Sequence, residues 1–298
     1  MDSPPAREPG PPAPAQHWHA CDPDVRAWVE SVADILQSGL GDSLIGLYLH
    51  GSLATGSFRR PKSDVDLFTV VSTRPDSEIL DKLAASLAAA CASCPTLGGL
   101  ELRIVRDGDL RPFPPLGPAF LSFSHGAWIE RGPEIELPGF PHLEFATVSG
   151  AARRHGIALH GPPAATGIAP VPWLSYVASV MDDLRWIVEA EHVLLTPIYA
   201  ILNLCRTLAV LAEGESSGLP DKDAGARWAL AHLPCEHHPL IRRAHAAYAS
   251  ADPIPYDARR TGGLEWDQAP LLAFRDFAIA EAERRGHPVP RAAEDGLR

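Results

Sequence analysis

Two short segments of the sequence contain residues whose types and spacing could carry out chemistry. The first is Gly51-Ser52, which follows the apolar stretch Ile45 to His50. The second is the pair Asp64 and Asp66 at the start of the apolar stretch Val65 to Val71. Side chains two apart on a strand point to the same side, so the two carboxylates converge, and a divalent cation would offset their repulsion. A glycine-serine turn offers N–H groups and a hydroxyl to a phosphate, so the pattern predicts a metal site beside a phosphate site, the minimum for nucleotidyl transfer.

A third carboxylate is predicted on a later strand. Glu101 lies at the start of the largely apolar stretch Leu100 to Val105, where a charged residue needs a reason. Mg²⁺ prefers carboxylate oxygens at ~2.0–2.1 Å, and two such ions ~3.5–4 Å apart can hold the attacking and leaving oxygens of a phosphoryl transfer. We therefore expect Glu101 to join Asp64 and Asp66 as general base or metal ligand. The alternatives are a turn-capping aspartate pair and a solvated strand end.

The periodicity of the surrounding sequence predicts the elements that hold these residues. Apolar residues from Val25 to Leu36 recur at helical spacing, and Ser77 is predicted to cap a helix that ends near Ala92. With the three strands, this order indicates a mixed sheet with flanking helices. The stretch Leu121 to Ile129 is compatible with strand or helix. Further helices are predicted over Phe145–Leu159, Trp173–Ala190, Pro197–Glu213, Asp221–His232, Pro239–Ala251 and Ala269–Arg285.

The later helices indicate a separate domain. The predicted fold class is therefore α+β, an N-terminal α/β domain with a mixed β-sheet followed by a C-terminal all-α helical bundle. The Pro/Gly/Ala-rich stretch 160–172 is the candidate linker, and ligands favour the cleft between two domains. The expected divisions are a disordered tail at 1–20, the α/β domain at 21–165, the helical bundle at 170–286 and a second disordered tail at 287–298.

Composition limits the class of partner. The formal net charge of −11 argues against a nucleic-acid partner, which requires basic surface, and favours a cationic small molecule. No apolar run approaches the ~20 residues of a membrane helix, and residues 1–16 lack the apolar segment of a signal peptide. We therefore expect a cytoplasmic protein with no membrane partner, and separately we expect a monomer. The five cysteines suit free thiols, and Cys91 and Cys94 have zinc-like spacing without a second ligand pair.

The motifs resemble those of a known superfamily. A Gly-Ser pair, a loop, Asp-x-Asp on a strand and a later acidic residue are similar to the nucleotidyltransferase superfamily that includes the DNA polymerase beta type. Within it, the chain resembles the aminoglycoside adenylyltransferases that modify streptomycin and spectinomycin, from about residue 43 to about residue 251. The resemblance is carried by Leu47–Ser52, Lys62–Leu67, Leu100–Val105, Arg154–Gly161, Leu202–Arg206 and Lys222–Ala229.

The resemblance implies an activity and roles for individual residues. It implies Mg²⁺-dependent transfer of AMP from ATP to a hydroxyl of an aminoglycoside-type antibiotic, with two metal ions and release of pyrophosphate. It places the metal ligands at Asp64 and Asp66 and the catalytic base, also a candidate ligand, at Glu101. The nucleotide-binding set is then Gly51, Ser52, Ser63, Arg206, Lys222 and Tyr248. Pairing of Arg206 with a carboxylate and packing of Tyr248 in the core are the alternatives.

The acceptor side departs from the family pattern. The segment His125 to Trp128 matches the glycine and tryptophan of a streptomycin-recognition segment but has alanine in place of its acid. Thr196 stands where the family has an acid ahead of Arg206. Trp128 and Glu191 are the candidate acceptor contacts, with core packing as the alternative for Trp128. Spectinomycin and unrelated hydroxyl acceptors stay open, as do a nucleotidyltransferase acting on protein or RNA and a catalytically inactive nucleotide- or drug-binding homologue.

Overall fold

The chain forms two compact units. A computed structural model describes residues 8–114, 121–124, 144–189, 192–215, 218 and 220–289. The first unit is Pro14–Tyr176, and the second comprises the described residues of Met1–Ala13 and Val177–Arg298. The division falls inside the helix Trp173–Val188, later in the chain than the linker predicted at 160–172. The predicted fold class, a mixed-sheet α/β domain followed by a helical domain, is confirmed.

The first unit is built on a five-stranded mixed sheet. Its strands are β1 (Leu44–His50), β2 (Val65–Val71), β3 (Leu100–Arg106), β4 (Leu121–Ser124) and β5 (Ile157–His160). Their order in the sheet is β4-β3-β2-β1-β5, with β2 and β3 parallel and the other neighbours antiparallel. The helices of this unit are α1 (Pro23–Leu40), α2 (Gly51–Thr55), α3 (Ser77–Cys91), α4 (Phe145–His155) and α5 (Ala164–Gly167), followed by the start of α6 (Trp173–Val188).

Alternation along the strands gives this sheet two apolar faces. One face, which includes Leu67, packs on α1 and α3. The other face, which includes Phe68, packs on α4 and α5. Because strand residues alternate, Asp66 lies on the same face as Phe68, and its register partner Glu101 lies beside it. The acidic residues therefore lie at the end of this face of the sheet, and the rest of the face is buried in the core.

Two local predictions are wrong. Asp76, not Ser77, caps α3, and its carboxylate accepts a hydrogen bond from the Ile79 N–H at 2.9 Å. The helix predicted over Phe145–Leu159 ends at His155, and the residues after Gly156 form β5, which pairs with β1. A side chain at Gly156 would overlap the carbonyl oxygen of Ala152, so glycine lets the chain leave the helix there. Helical spacing of apolar residues did not reveal the long-range pairing with β1.

The N-terminal segment also differs from its prediction, a disordered tail to residue 20. Gln16 pairs with Phe58 by two backbone hydrogen bonds of 2.8 and 3.3 Å within the first unit. Pro12 pairs with Ser250 within the second unit. Trp18 is buried. These partners lie far away in sequence, so local composition could not indicate them; residues 1–7 and 290–298 lie outside the described ranges.

The second unit is helical. After α6, its helices are α7 (His192–Leu195), α8 (Pro197–Glu213), α9 (Lys222–His232), α10 (His238–Ala249) and α11 (Gln268–Arg284). The bounds of α8 agree with the prediction. This helix is the centre of the unit, because α7, α9, α10 and α11 all pack against it and most of its residues are buried. In the part of the chain that is described, no helix combines the length and apolarity needed to cross a bilayer.

The cysteines are free thiols, as predicted. Burial raises the pKa of Cys91 to about 12 and the pKa of Cys94 to about 11. Metal binding and nucleophilic attack require the thiolate, which is scarce at such values. The pair therefore behaves as packed thiols at the end of α3.

Candidate active site

Three carboxylates meet at one end of the sheet. Asp64, Asp66 and Glu101 each offer an oxygen, and these oxygens lie within 4.8 Å of one another. Asp66 and Glu101 are register partners in the parallel β2–β3 pair, and Asp64 directly precedes β2. All three residues are half-buried. The structure therefore brings together the three carboxylates that the sequence singled out.

The donor set of this cluster fits a hard divalent cation. Three anionic oxygens at such separations repel one another unless positive charge lies among them. Carboxylate oxygens without nitrogen or sulfur donors suit Mg²⁺. Within the described ranges, this is the single group of three acidic, histidine or cysteine side chains close enough to share an ion. Asp64, Asp66 and Glu101 are the residues that would hold Mg²⁺.

Gly51 lies directly beside the Asp66 carboxylate, and Ser52 is the next residue of α2. Gly51 has φ +64°, and a Cβ placed there would overlap the carboxylate of Asp66 and lie 2.6 Å from its Cγ. The hydroxyl oxygen of Ser52 is buried and has no hydrogen-bond partner among the described residues. Leaving a buried hydroxyl unsatisfied costs roughly 1–3 kcal/mol, so this hydroxyl is suited to donate to an added acceptor. A phosphate oxygen would supply the acceptor.

Ser63 has a structural task in addition to its predicted contact with phosphate. It is buried, and its hydroxyl oxygen accepts a hydrogen bond from the Arg59 N–H at 2.9 Å. The hydroxyl keeps one proton that it can donate. The structure thus shows Ser63 as a residue that holds the loop leading to Asp64.

Sequence reasoning missed two neighbours of the cluster. The strand registers place His50, Asp66, Glu101 and Ser124 in one row across four strands. Burial, together with the positive charge of Arg103, lowers the pKa of His50 to about 3, so this imidazole is neutral at pH 7. The position of His50 directly before Gly51 was the available signal. The row itself depends on the strand registers, which cannot be read from the sequence.

The nucleotide-binding residues predicted in the helical domain also lie near one another. The ammonium of Lys222 stands 5.1 Å from the centre of the Tyr248 ring, a cation–π contact. The guanidinium of Arg206 donates to the Pro220 carbonyl at 2.7 Å and to the side chain of Asn203. Arg206 therefore holds the segment that leads into α9, and Lys222 is the first residue of that helix.

The close packing of α8 and α9 depends on a glycine. A Cβ at Gly225 would lie 2.6 Å from the Cγ of Arg206, so only glycine permits this approach. A further polar pair joins α9 and α10, since His245 Nε2 lies 2.9 Å from Asp223 Oδ1. Asp223 is buried, which makes this pair an internal tie between the two helices.

The cap of α9 provides a test of the role of Lys222. Asp221 accepts a hydrogen bond from the Ala224 N–H at 2.7 Å. We expect Asp221→Ala to lower the free energy of unfolding by ~1 kcal/mol. Because Lys222 follows directly, KM for ATP should also rise several-fold, as steady-state kinetics would show. Asp76→Ala removes the corresponding cap of α3, and it should lower the free energy of unfolding by a similar amount without changing KM for ATP. Equal KM values in the two variants would contradict the prediction.

The two predicted acceptor contacts, Trp128 and Glu191, lie outside the described residues. Within those residues, Thr196 is buried, and its hydroxyl donates to the His192 carbonyl at 2.8 Å. Thr196 stands where the resemblance would expect an acid, and its hydroxyl is thus hydrogen-bonded within its own helical segment.

Comparisons with known proteins agree with this architecture. A family described as "Aminoglycoside adenylyltransferase, C-terminal domain" matches residues 168–261. An aminoglycoside (3'') (9) adenylyltransferase of Shigella flexneri is 27% identical over 237 residues, which is 76% of this chain and 86% of the relative. A spectinomycin 9-adenylyltransferase of Staphylococcus aureus is 28% identical over 223 residues, which is 72% of this chain and 81% of that protein.

A solved structure shares the fold. The crystal structure of spectinomycin adenyltransferase AAD(9) from Enterococcus faecialis, determined with ATP and spectinomycin, matches with a TM-score of 0.70 and 18% sequence identity. The match covers 87% of this chain and 99% of that one. The family match in the helical domain and the similarity of full-length relatives lead to one conclusion. The chain is similar to aminoglycoside adenylyltransferases, both in its helical domain and over most of the length of these relatives.

Proposed function

We propose that the protein transfers AMP from ATP to a hydroxyl of an aminoglycoside-type antibiotic, with Mg²⁺ as the metal and pyrophosphate as the second product. The observation that carries the proposal is the cluster of Asp64, Asp66 and Glu101 beside the buried Ser52 hydroxyl, which lacks a partner among the described residues. The names of the relatives support the acceptor class, and the AAD(9) structure with ATP supports the donor.

The three residues of the acidic cluster have different roles in the proposed reaction. When bound, divalent ions supply the positive charge that offsets negative charge on the phosphates. Asp64 and Asp66, with Glu101 as a candidate further ligand, would hold these ions. Glu101 accepts the proton of the acceptor hydroxyl, whose oxygen attacks the α-phosphorus of ATP as the bond to pyrophosphate breaks. Ser52 donates its hydroxyl proton to a phosphate oxygen, which satisfies the buried group.

The helical unit contributes the remaining nucleotide contacts. Lys222 and Arg206 supply positive charge to the phosphate oxygens in a protein of net charge −11. The ring of Tyr248 holds the Lys222 ammonium in place. Arg206 keeps guanidinium N–H groups beyond those bonded to Pro220 and Asn203, and these groups would be its donors to phosphate.

Spectinomycin is the acceptor that we place first. The alanine at position 127 and Thr196 remove two acids that the family pattern places opposite cationic streptomycin. A buried guanidinium without a carboxylate loses a charge-assisted contact of ~1.5–3 kcal/mol. The relative from Staphylococcus aureus is named for spectinomycin.

The deciding experiment measures pyrophosphate release and the mass of the antibiotic. Purified protein receives ATP and Mg²⁺ with spectinomycin, with streptomycin, with a deoxystreptamine aminoglycoside, or with no antibiotic. We expect release and an AMP adduct with spectinomycin, loss of both in EDTA, and recovery with excess Mg²⁺. Asp66→Asn, prepared in the same way, controls for contaminating enzymes. Labelled AMP found on protein or RNA, or no AMP transfer to any of these antibiotics, would refute the proposal.

A further inference from the structure

Asp64 is the one member of the acidic cluster that lies outside the strands. Asp66 and Glu101 lie within paired strands, so the sheet determines where their carboxylates stand. Asp64 precedes β2, and its backbone needs support from elsewhere. That support comes from residues 96–99, the turn between α3 and β3, which we call the 96–99 turn.

Hydrogen bonds join the 96–99 turn to the chain on both sides of Asp64. The hydroxyl of Thr96 donates to the carbonyl oxygen of Ser63, and both residues are buried. The N–H of Val65 donates to the carbonyl oxygen of Gly99 at 2.8 Å. The residue before Asp64 and the residue after it are thus both held by the same turn.

Gly98 brings the turn into direct contact with this backbone. A Cβ at Gly98 would overlap the Asp64 backbone nitrogen, and it would lie 2.5 Å from the carbonyl carbon of Ser63 and 2.6 Å from its oxygen. The φ angle of Gly98 is outside the left-handed region, so space rather than conformation calls for glycine here. All three atoms are backbone, and they could move aside only by shifting Asp64 itself.

We propose that the 96–99 turn is a positioning element that sets the distance of the Asp64 carboxylate from Asp66 and Glu101, and through it the affinity for the metal. Thr96 and Gly98 are then positioning residues that touch neither metal nor substrate. The inference rests on the proposed function in one respect, namely that the acidic cluster binds a divalent ion. Residues that support metal ligands typically change affinity by roughly 10- to 100-fold when they are replaced.

The test measures metal binding by the full-length protein, independently of catalysis. Mn²⁺ alone is titrated into each variant, and free Mn²⁺ is followed by its electron paramagnetic resonance signal. We expect Gly98→Ala and Thr96→Val to raise the Kd for Mn²⁺ by roughly 10- to 100-fold. Thr96→Ser keeps the hydroxyl and should bind Mn²⁺ as the unchanged protein does.

Gly39 supplies the matched control. A Cβ at Gly39 would overlap the side chain of Leu83, between α1 and α3, so Gly39→Ala introduces the same methyl group away from the site, against a side chain instead of backbone. This variant should keep the Kd for Mn²⁺ even if its unfolding temperature falls. If Gly98→Ala does not fold, the comparison of Thr96→Val with Thr96→Ser decides whether the 96–99 turn affects the Kd for Mn²⁺.

The outcomes separate this inference from the proposed function. Equal Mn²⁺ affinities in Gly98→Ala, Thr96→Val and the unchanged protein would overturn the inference, even in an enzyme that transfers AMP normally. Equal weakening by Thr96→Ser and Thr96→Val, or no Mn²⁺ binding by the unchanged protein, would also overturn it. An absence of AMP transfer with the expected differences in Mn²⁺ affinity would instead refute the proposed function and leave the positioning role supported.

Discussion

Replacement of Glu101 by glutamine should slow AMP transfer by orders of magnitude while ATP still binds. Glutamine has the shape of glutamate, but its amide cannot accept the proton of the acceptor hydroxyl. General-base catalysis contributes ~10²–10⁴-fold, and we expect a loss of that size in kcat. Rapid-quench single-turnover assays with spectinomycin measure the chemical step, and calorimetry measures the Kd for ATP.

The control for this prediction is another glutamate of the same unit. Glu78 on α3 is exposed and pairs with Lys82, so Glu78→Gln changes the net charge equally without touching the cluster. It should react at the rate of the unchanged protein. A Glu101→Gln variant with normal turnover would show that a different group removes the proton. Loss of ATP binding in parallel with turnover would show that Glu101 acts mainly as a metal ligand and not as the base.

Gly51→Ala should inactivate the protein by displacing the carboxylate of Asp66. The new methyl group would stand 2.6 Å from Asp66 Cγ, so this carboxylate must leave the position that it holds near Asp64 and Glu101. Misplacement of a reacting group by about 1 Å can cost ~10²-fold in rate, and we expect at least that loss. The φ of +64° adds a backbone cost of roughly 1–2 kcal/mol for a residue with a Cβ.

Replacement of Gly41 separates the steric effect on Asp66 from the backbone cost of a positive φ. This glycine has φ +52° at the end of α1, and a Cβ added there would meet no neighbouring atom within 4 Å. Gly41→Ala should therefore lose a similar free energy of unfolding, measured by urea titration, and keep full AMP transfer. Equal activity in Gly51→Ala and Gly41→Ala would contradict the steric argument, because only Gly51 of this pair faces a carboxylate.

The acidic cluster was predictable because its geometry is mostly local. The spacing of Asp64 and Asp66 places them on one side of the chain wherever Val65 to Val71 is a strand. Glu101 required one further assumption, that its strand lies next to β2, and the parallel β2–β3 pair confirms it. The helices of the second unit were predictable for the same reason, since their apolar spacing is a local property.

The errors arose where a distant partner decides the structure. Residues 157–160 follow a helical pattern, yet hydrogen bonds to the edge of β1 make them a strand. Pro12 and Gln16 come from a Pro/Ala-rich segment and still find backbone partners at Ser250 and Phe58. Such pairings satisfy polar backbone groups far apart in sequence, and no local propensity reports them.

The sequence by itself determined which residues can perform the chemistry: three carboxylates for a cation, a glycine and serine for a phosphate, and the periodicity of the elements around them. The tertiary structure decided how those residues are held. Strand register placed His50 and Ser124 in the row of Asp66 and Glu101. Gly98 packs closely against the backbone of Ser63 and Asp64, just before β2 begins. The physical reason is that residue type and spacing are properties of the chain, whereas register and close approach exist only after distant segments pack together.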